Sequence, residues 1–228
     1  MIPISNKKQM VKLLRSISGR YSLYQVFSDW IEVSAIAIRN ACTLIHDGVW
    51  EEREKRYLDI IKRYEPDEQK GFVKMLALLV EEFEQELEEK KLTDVLGEVY
   101  MEMEAGNKHL GQSFTPSSLA ILCATLTIDE DTDIVPFLEP ACGGGAMVIA
   151  AAQRLLELGK NYQRMMRGVC QDLDSNCVHM CYVQLSLLGI DAVIARGDSL
   201  TDPYPETLNA KYAEDRLWRT PRNMGLIF

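Results

Sequence analysis

Phe137-Leu138-Glu139-Pro140-Ala141-Cys142-Gly143-Gly144-Gly145-Ala146 is the stretch that decides the fold. A short apolar run ends in an acid, passes through three glycines and opens onto Ala146–Leu158, where apolar residues recur at helical steps. Glycine lets a backbone come close to a ligand and take positive φ at little cost. A helix start behind such a turn offers free N–H groups and the positive end of the helix dipole. A tight turn with no ligand has the same signature, so the segment needs its context.

The context is two further strand ends. Ile134–Leu138, Arg167–Cys170 and Ala192–Ala195 are short apolar runs rich in β-branched residues. Helix-like stretches at Ala146–Leu158 and Ser175–Leu188 alternate with them, which predicts a parallel sheet with crossover helices, an α/β fold. Val169-Cys170-Gln171-Asp172-Leu173-Asp174 puts an acid just past the second strand. An acid there can accept from both hydroxyls of a ribose. Arg196-Gly197-Asp198-Ser199 ends the third strand the same way. Any one of these acids can instead cap a helix. Three in succession line the carboxyl edge of a doubly wound sheet, where ligands bind.

Upstream the texture is helical. Val26, Phe27, Trp30, Ile31, Ser34, Ala35 and Ile38 lie on one helix face. Val49–Tyr64, Phe72–Leu92 and Asp94–Glu104 repeat the pattern, with Pro66 starting a new helix and Gly106-Asn107 ending the last one. The acidic run Glu81–Glu89 alternates with Phe83 and Leu87 and reads as a solvated helix face. The organisation expected is an α-helical N-terminal region, 1–108, and a ligand-binding α/β domain, 109–228.

Composition sets the limits. The 228 residues are 47% hydrophobic and 26% charged, an ordinary globular mixture that excludes a disordered or collagen-like chain. No apolar run reaches the ~20 residues of a membrane helix, and no leader pattern opens the chain, so a cytoplasmic protein with no membrane partner is expected. Six scattered cysteines read as reduced thiols. The net charge is −9, with 16 basic against 20 acidic residues in 1–110 and 9 against 14 in 111–228. Neither half is a basic nucleic-acid module, so any DNA contact needs a local patch or a partner chain.

Leu110-Gly111-Gln112-Ser113-Phe114-Thr115-Pro116 precedes the sheet and turns into a helix at Ser117. Together with Glu139-Pro140-Ala141-Cys142-Gly143-Gly144-Gly145, it resembles the paired signature of the N6-adenine DNA methyltransferases. The resemblance is strongest to the modification subunits of type I restriction-modification systems. These carry Gly-Gln-Phe-[Phe/Tyr]-Thr-Pro and then Asp-Pro-Ala-Cys-Gly-Ser-Gly, behind a helical N-terminal region. The likeness covers roughly residues 94–200 and implies a Rossmann-like fold binding S-adenosylmethionine (SAM), with DNA adenine as the methyl acceptor.

The resemblance also implies roles. Phe114, Thr115 and Pro116 close over the methionine end of SAM. Glu139 stands where the family has Asp, near the SAM amino group. Ala141 belongs to the same loop, and Gly143, Gly144 and Gly145 pass under methionine and ribose. Asp172 holds the ribose hydroxyls, and Asp198 accepts from the adenine amino group of SAM. Gly144 replaces the usual Ser, a change of little consequence if only its N–H matters.

The departure from the family lies further on. Its members follow the third strand with a fourth ending in Asn-Pro-Pro-Phe or Asp-Pro-Pro-Tyr. That loop holds an extruded adenine through paired acceptors and stacks an aromatic ring on it. This sequence has no such tetrapeptide. Asp202-Pro203-Tyr204-Pro205 is a scrambled look-alike, four residues after Asp198 with no apolar strand between. No catalytic residue is assigned. DNA, reached through a partner subunit, and restriction-modification subunits are the expected partners, and a non-catalytic SAM-binding regulator or a small-molecule or protein methyltransferase are the alternatives.

Cys177-x-His179-x-Cys181 lacks zinc spacing, because 177 and 181 share a helix face and 179 points away. No metal is expected. Cys142 reads as packed, His46 and His109 as surface or cap residues, and Arg216, Arg219 and Arg222 around Trp218 as a solvated basic tail.

Overall fold

The computed structural model describes residues 4–104, 114–203 and 216–226. Its elements run α1 (Asn6–Ile17), α2 (Leu23–Ala41), α3 (Gly48–Ile61), α4 (Pro66–Glu88), α5 (Val95–Glu104), α6 (Ser117–Thr127), β1 (Val135–Glu139), α7 (Ala146–Glu157), α8 (Tyr162–Met165), β2 (Met166–Asp172), α9 (Ser175–Leu187), β3 (Asp191–Arg196) and β4 (Leu217–Arg219). Helix starts follow local chemistry. The Ser22 and Asp47 side chains accept from the N–H groups of Gln25 and Trp50, and Glu65 and Glu68 form a capping box with Pro66 in the first turn.

The sheet order is β1-β2-β3-β4. The first three strands are parallel, with Leu138 beside Val169 and Val169 beside Val193. β4 pairs antiparallel to β3, Trp218 against Ile194. Because side chains alternate across a strand, Cys170 and Ile194 share one face, and Leu138, Val169 and Val193 the other. On the first face Cys170 and Ile194 are fully buried in the main core. On the second, Val193, Ala195 and Leu217 make a small separate cluster, while Leu138 at the outer strand is 69% exposed. Ile134–Leu138 is apolar throughout, yet Ile134 and Leu138 are open to solvent, and it is Val135 and Phe137 that pack on the main core.

The helical region is continuous with this core. α2 packs on α3 and α9, α1 on α4 and α5, and α5 on α9. Trp30 is fully buried and its indole N–H donates to the Phe72 carbonyl at 3.1 Å, stapling α2 to α4. Phe72 and Phe83 are buried, and Leu76 packs against the same cluster. Asp29 is buried in α2 and accepts from the Tyr64 hydroxyl at 2.7 Å and from Arg63 and Gln25. Such pairing is what a buried carboxylate needs to remain in a core.

Two elements add to or depart from the sequence reading. α1 has no range of its own in that reading, and Met10, Leu14 and Ile17 bury one face of it. The segment read as a solvated basic tail is instead β4. Trp218 is 7% exposed, with its ring edge-on to His179 and tilted against Tyr182. A large aromatic beside an open strand edge gains more by covering core than by staying wet. His46 is exposed and stacks on Trp50 at 4.0 Å between centroids. His109 lies outside the described residues. Among the described residues no helix is long and apolar enough to cross a membrane.

Candidate cofactor site

The glycine turn is held from three sides. From the sheet, Asp172 reaches back across the carboxyl edge. One carboxylate oxygen accepts from the Gly143 N–H at 2.9 Å, and the other from the Asp174 N–H at 2.9 Å. The Cys142 N–H donates to the Gln171 carbonyl at 3.0 Å. Asp174, two residues on, caps α9 by accepting from the Asn176 N–H. The two neighbouring acids therefore divide the possible roles, one facing the turn and one ending a helix. Both Asp172 oxygens keep lone pairs, so the carboxylate can still accept from ligand hydroxyls.

From α9, the Gln184 side chain donates to the Gly144 carbonyl and to Asp94, each at 2.7 Å, and accepts from the Leu96 N–H. From the start of α5, Asp94 also accepts from the Gly97 N–H at 2.8 Å. Burial pushes the Asp94 carboxyl above its ordinary range, against the pull of the bonds from Gln184 and Gly97. Sequence reasoning missed both residues. Each is a single polar side chain within a helical pattern, and only the fold pairs them.

The glycines fit their positions for different reasons. Gly143 has φ +52°, and a Cβ there would meet the Phe114 ring at 3.1 Å. Gly145 has φ +99° and begins α7, with Cys181 Sγ 3.3 Å from where its Cβ would lie. At Gly144 a Cβ would come within 2.8 Å of the Asp94 carboxylate. The loss of the usual Ser is thus not neutral in this chain, because Asp94 occupies the space.

Around this turn lies a cavity of about 190 Å³, lined by Phe114, Thr115, Glu139, Ala141, Gly143, Gly144 and Asp172 among others. Seven of the ten residues expected at the cofactor thus converge. Ala146, Met147 and Cys177 also line it. They occupy the first turns of α7 and α9, positions that adjacency to the glycine turn and to Asp172 marks in the sequence. Glu139 is half-buried, accepts from the Ala141 N–H at 3.3 Å, and has its carboxyl pushed up by burial.

Three expected residues are not in the wall. Pro116 caps α6, its carbonyl accepting from Leu119 and Ala120. Gly145 turns into α7. Asp198 folds onto its own turn and accepts from the Leu200 N–H at 2.9 Å, which pulls its carboxyl below the ordinary range. Cys142 is buried, as expected, but with company: its sulfur and those of Cys170 and Cys181 lie within 4.8 Å of one another. Hydrogen bonding from Cys142 and then Cys181 pulls the Cys170 thiol down, while the other two are raised. Of the Cys177-x-His179-x-Cys181 segment only Cys181 joins that cluster. Cys177 faces the cofactor cavity, and His179 faces a second cavity beside Trp218. Burial pulls the His179 imidazole down to about 4.

A glycine turn at a parallel sheet's carboxyl edge, with an acid latched to it from the second strand, has the form of a nucleoside-cofactor site. The profile of the N-6 DNA methylase family matches residues 91–215, and the chain belongs to that family. Its cofactor is SAM, and the residues present suit it, with a cradle only glycine can form and an acid beside it free to accept from hydroxyls. The structure is also similar to one described as a candidate class I SAM-dependent methyltransferase from Listeria monocytogenes. That likeness has a TM-score of 0.46 at 14% identity, and covers 90% of this chain and 55% of that one. No curated protein matches the chain significantly.

Proposed function

We propose that this chain is the cofactor-binding part of an N6-adenine DNA methyltransferase, and that the base-binding loop and the DNA contacts come from a partner subunit of a restriction-modification system. One observation carries the reading. Asp202-Pro203, the nearest approach to a base-binding motif, belongs to the turn after β3. The Asp202 N–H donates to the Asp198 carbonyl, and the Asp202 carbonyl accepts from the Gln171 side chain. That places the dipeptide against β2, whereas β1 has no strand on its outer side among the described residues. Tyr204 lies outside the described residues.

The chemistry divides accordingly. When bound, SAM supplies an electrophilic methyl on a sulfonium. Asp172 would hold the ribose, the Gly143–Gly144 backbone would lie along the cofactor, and Glu139 would face its amino group. Phe114, packed edge-on to Tyr100, would cover the site. Making an adenine amino nitrogen nucleophilic requires paired acceptors and an extruded base. Aligning that base with the methyl is worth ~7–11 kcal/mol of barrier. The net charge of −9 gives no general attraction for a polyanion. Leu119, Leu122 and Leu126 on α6 are exposed, as is Leu138 on β1, and such apolar surface supports a protein partner.

The test is transfer of a tritiated methyl group to mixed-sequence duplex DNA at low salt. The pure chain is expected to bind SAM and transfer nothing, and to become active when the products of neighbouring reading frames are added. N6-methyladenine formed by the pure chain overturns the division of labour. SAM binding that stays silent with every such product favours a non-catalytic regulator instead.

A further inference from the structure

Cys142, Cys170 and Cys181 come from three different elements: the glycine turn, the middle of β2 and the second turn of α9. No sequence spacing links them. Their sulfurs nevertheless converge within 4.8 Å of one another, and all three residues are buried, Cys170 and Cys181 completely. A metal–thiolate bond of about 2.3 Å sets the sulfurs of a trigonal site about 4 Å apart. The cluster is therefore nearly at ligating distance and needs only small side-chain adjustments to close.

We propose that these three thiols form a binding site for a soft, singly charged metal ion, copper(I), beneath the cofactor turn. Sulfur donors select soft ions. Among the described residues no histidine or carboxylate joins the group as a fourth donor. Structural zinc takes four ligands, whereas copper(I) is satisfied by three sulfurs. The charge argument agrees. At buried sulfurs each uncompensated charge is costly, so a monovalent ion demands fewer ionised thiols than a divalent one. Each thiol that enters the site as thiolate releases one proton to solvent, and no electron moves. The way in is the cofactor cavity, since Cys142 forms part of its wall. An ion held there ties the glycine turn to β2 and α9 through sulfur, alongside the bonds from Asp172 and Gln184. The proposal does not depend on methyl transfer.

The experiment is anaerobic titration of the purified full chain with copper(I) in competition with the chromophoric chelator bicinchoninate. X-ray absorption fine structure on the loaded protein follows. One equivalent withdrawn from the chelator, with three sulfur scatterers and no nitrogen or oxygen, is the expected result. That equivalent should be lost in Cys170→Ser and in Cys181→Ser, and kept in Cys42→Ser and Cys123→Ser, whose cysteines lie apart from the cluster. If the core variants do not fold, the wild-type spectrum decides alone: two-sulfur coordination, or nitrogen or oxygen in the shell, overturns the site. So does a wild-type chain that takes no copper from the chelator, or a folded Cys170→Ser that still takes a full equivalent.

Discussion

Restoring serine at position 144 should damage this protein. Gly144 sits beneath Asp94, and an added Cβ would lie 2.8 Å from one carboxylate oxygen and 2.9 Å from the other. The carboxylate cannot simply swing away, because it is tied to the Gly97 N–H and to Gln184, and Gln184 is tied to Gly144 itself. Overpacking a well-filled core costs ~1–3 kcal/mol. For a chain of this size each kcal/mol lowers the melting temperature by ~2–4 °C, so Gly144→Ser should melt ~2–12 °C below wild type. Asp94→Ala should also destabilise, since a buried donor left without an acceptor costs ~1–3 kcal/mol. The informative variant is the double mutant. Removing the carboxylate clears the space for the serine, so the two penalties should not add, and the coupling should be ~1–3 kcal/mol in the double mutant's favour. Urea unfolding of the four proteins without ligand measures it. Additivity within ~0.5 kcal/mol, or a Gly144→Ser variant as stable as wild type, refutes the claim that Asp94 dictates glycine here.

Asp172→Ala removes two bonds to backbone N–H groups as well as the proposed ribose acceptor. Bonds to a charged group are worth ~1.5–3 kcal/mol each, so calorimetry should show weaker SAM binding and unfolding should show lower stability without SAM. A variant with unchanged affinity would contradict the site. Asp94→Asn keeps an acceptor and deletes a buried charge. The folded carboxyl of Asp94 is raised by burial, so the folded state holds its proton to higher pH than the unfolded chain. Stability from this group is therefore full below the unfolded value of ~3.9 and is lost as pH rises through the raised folded value. Urea midpoints should show Asp94→Asn gaining on wild type as pH rises, and a constant difference would contradict the shift. Gly168→Ala should fail to accumulate as soluble protein, because its Cβ would fall 2.0 Å from the Phe137 carbonyl oxygen, a backbone atom that cannot turn aside.

What was legible in the sequence was whatever is local. The turn from Glu139 to Ala146 reads directly because its chemistry lies in consecutive residues, and the amphipathic faces of α2 and α4 read because burial follows the helical period. Three-residue β4 is too short to show alternation, and its Trp218 flanked by arginines looks like a tail until β3 is there to pair with it. Asp198 follows a strand as a ligand acid should, but it accepts from the Leu200 N–H of its own turn and does not line the cavity. Asp94, Gln184 and the three converging cysteines were illegible for a common reason. Each depends on groups tens of residues apart meeting in space, and no periodicity or motif encodes such a meeting.

The same long-range contacts bear on where the cofactor domain begins. Composition places a boundary at 108/109, where helices give way to the sheet. Yet the family match starts at residue 91, ahead of α5. The structure supplies a physical reason, since Asp94 at the start of α5 and Gln184 on α9 hold the Gly144 carbonyl side of the turn. Asp172 holds the Gly143 N–H side. A glycine-rich loop gains its reach at a cost in conformational entropy, and only anchors on both sides keep it in one shape before the cofactor arrives. One of those anchors comes from the helical region. α5 in turn rests on α1, where Lys7 bridges Glu98 of α5 and Glu86 of α4. The helices thereby act as the far support of the glycine turn.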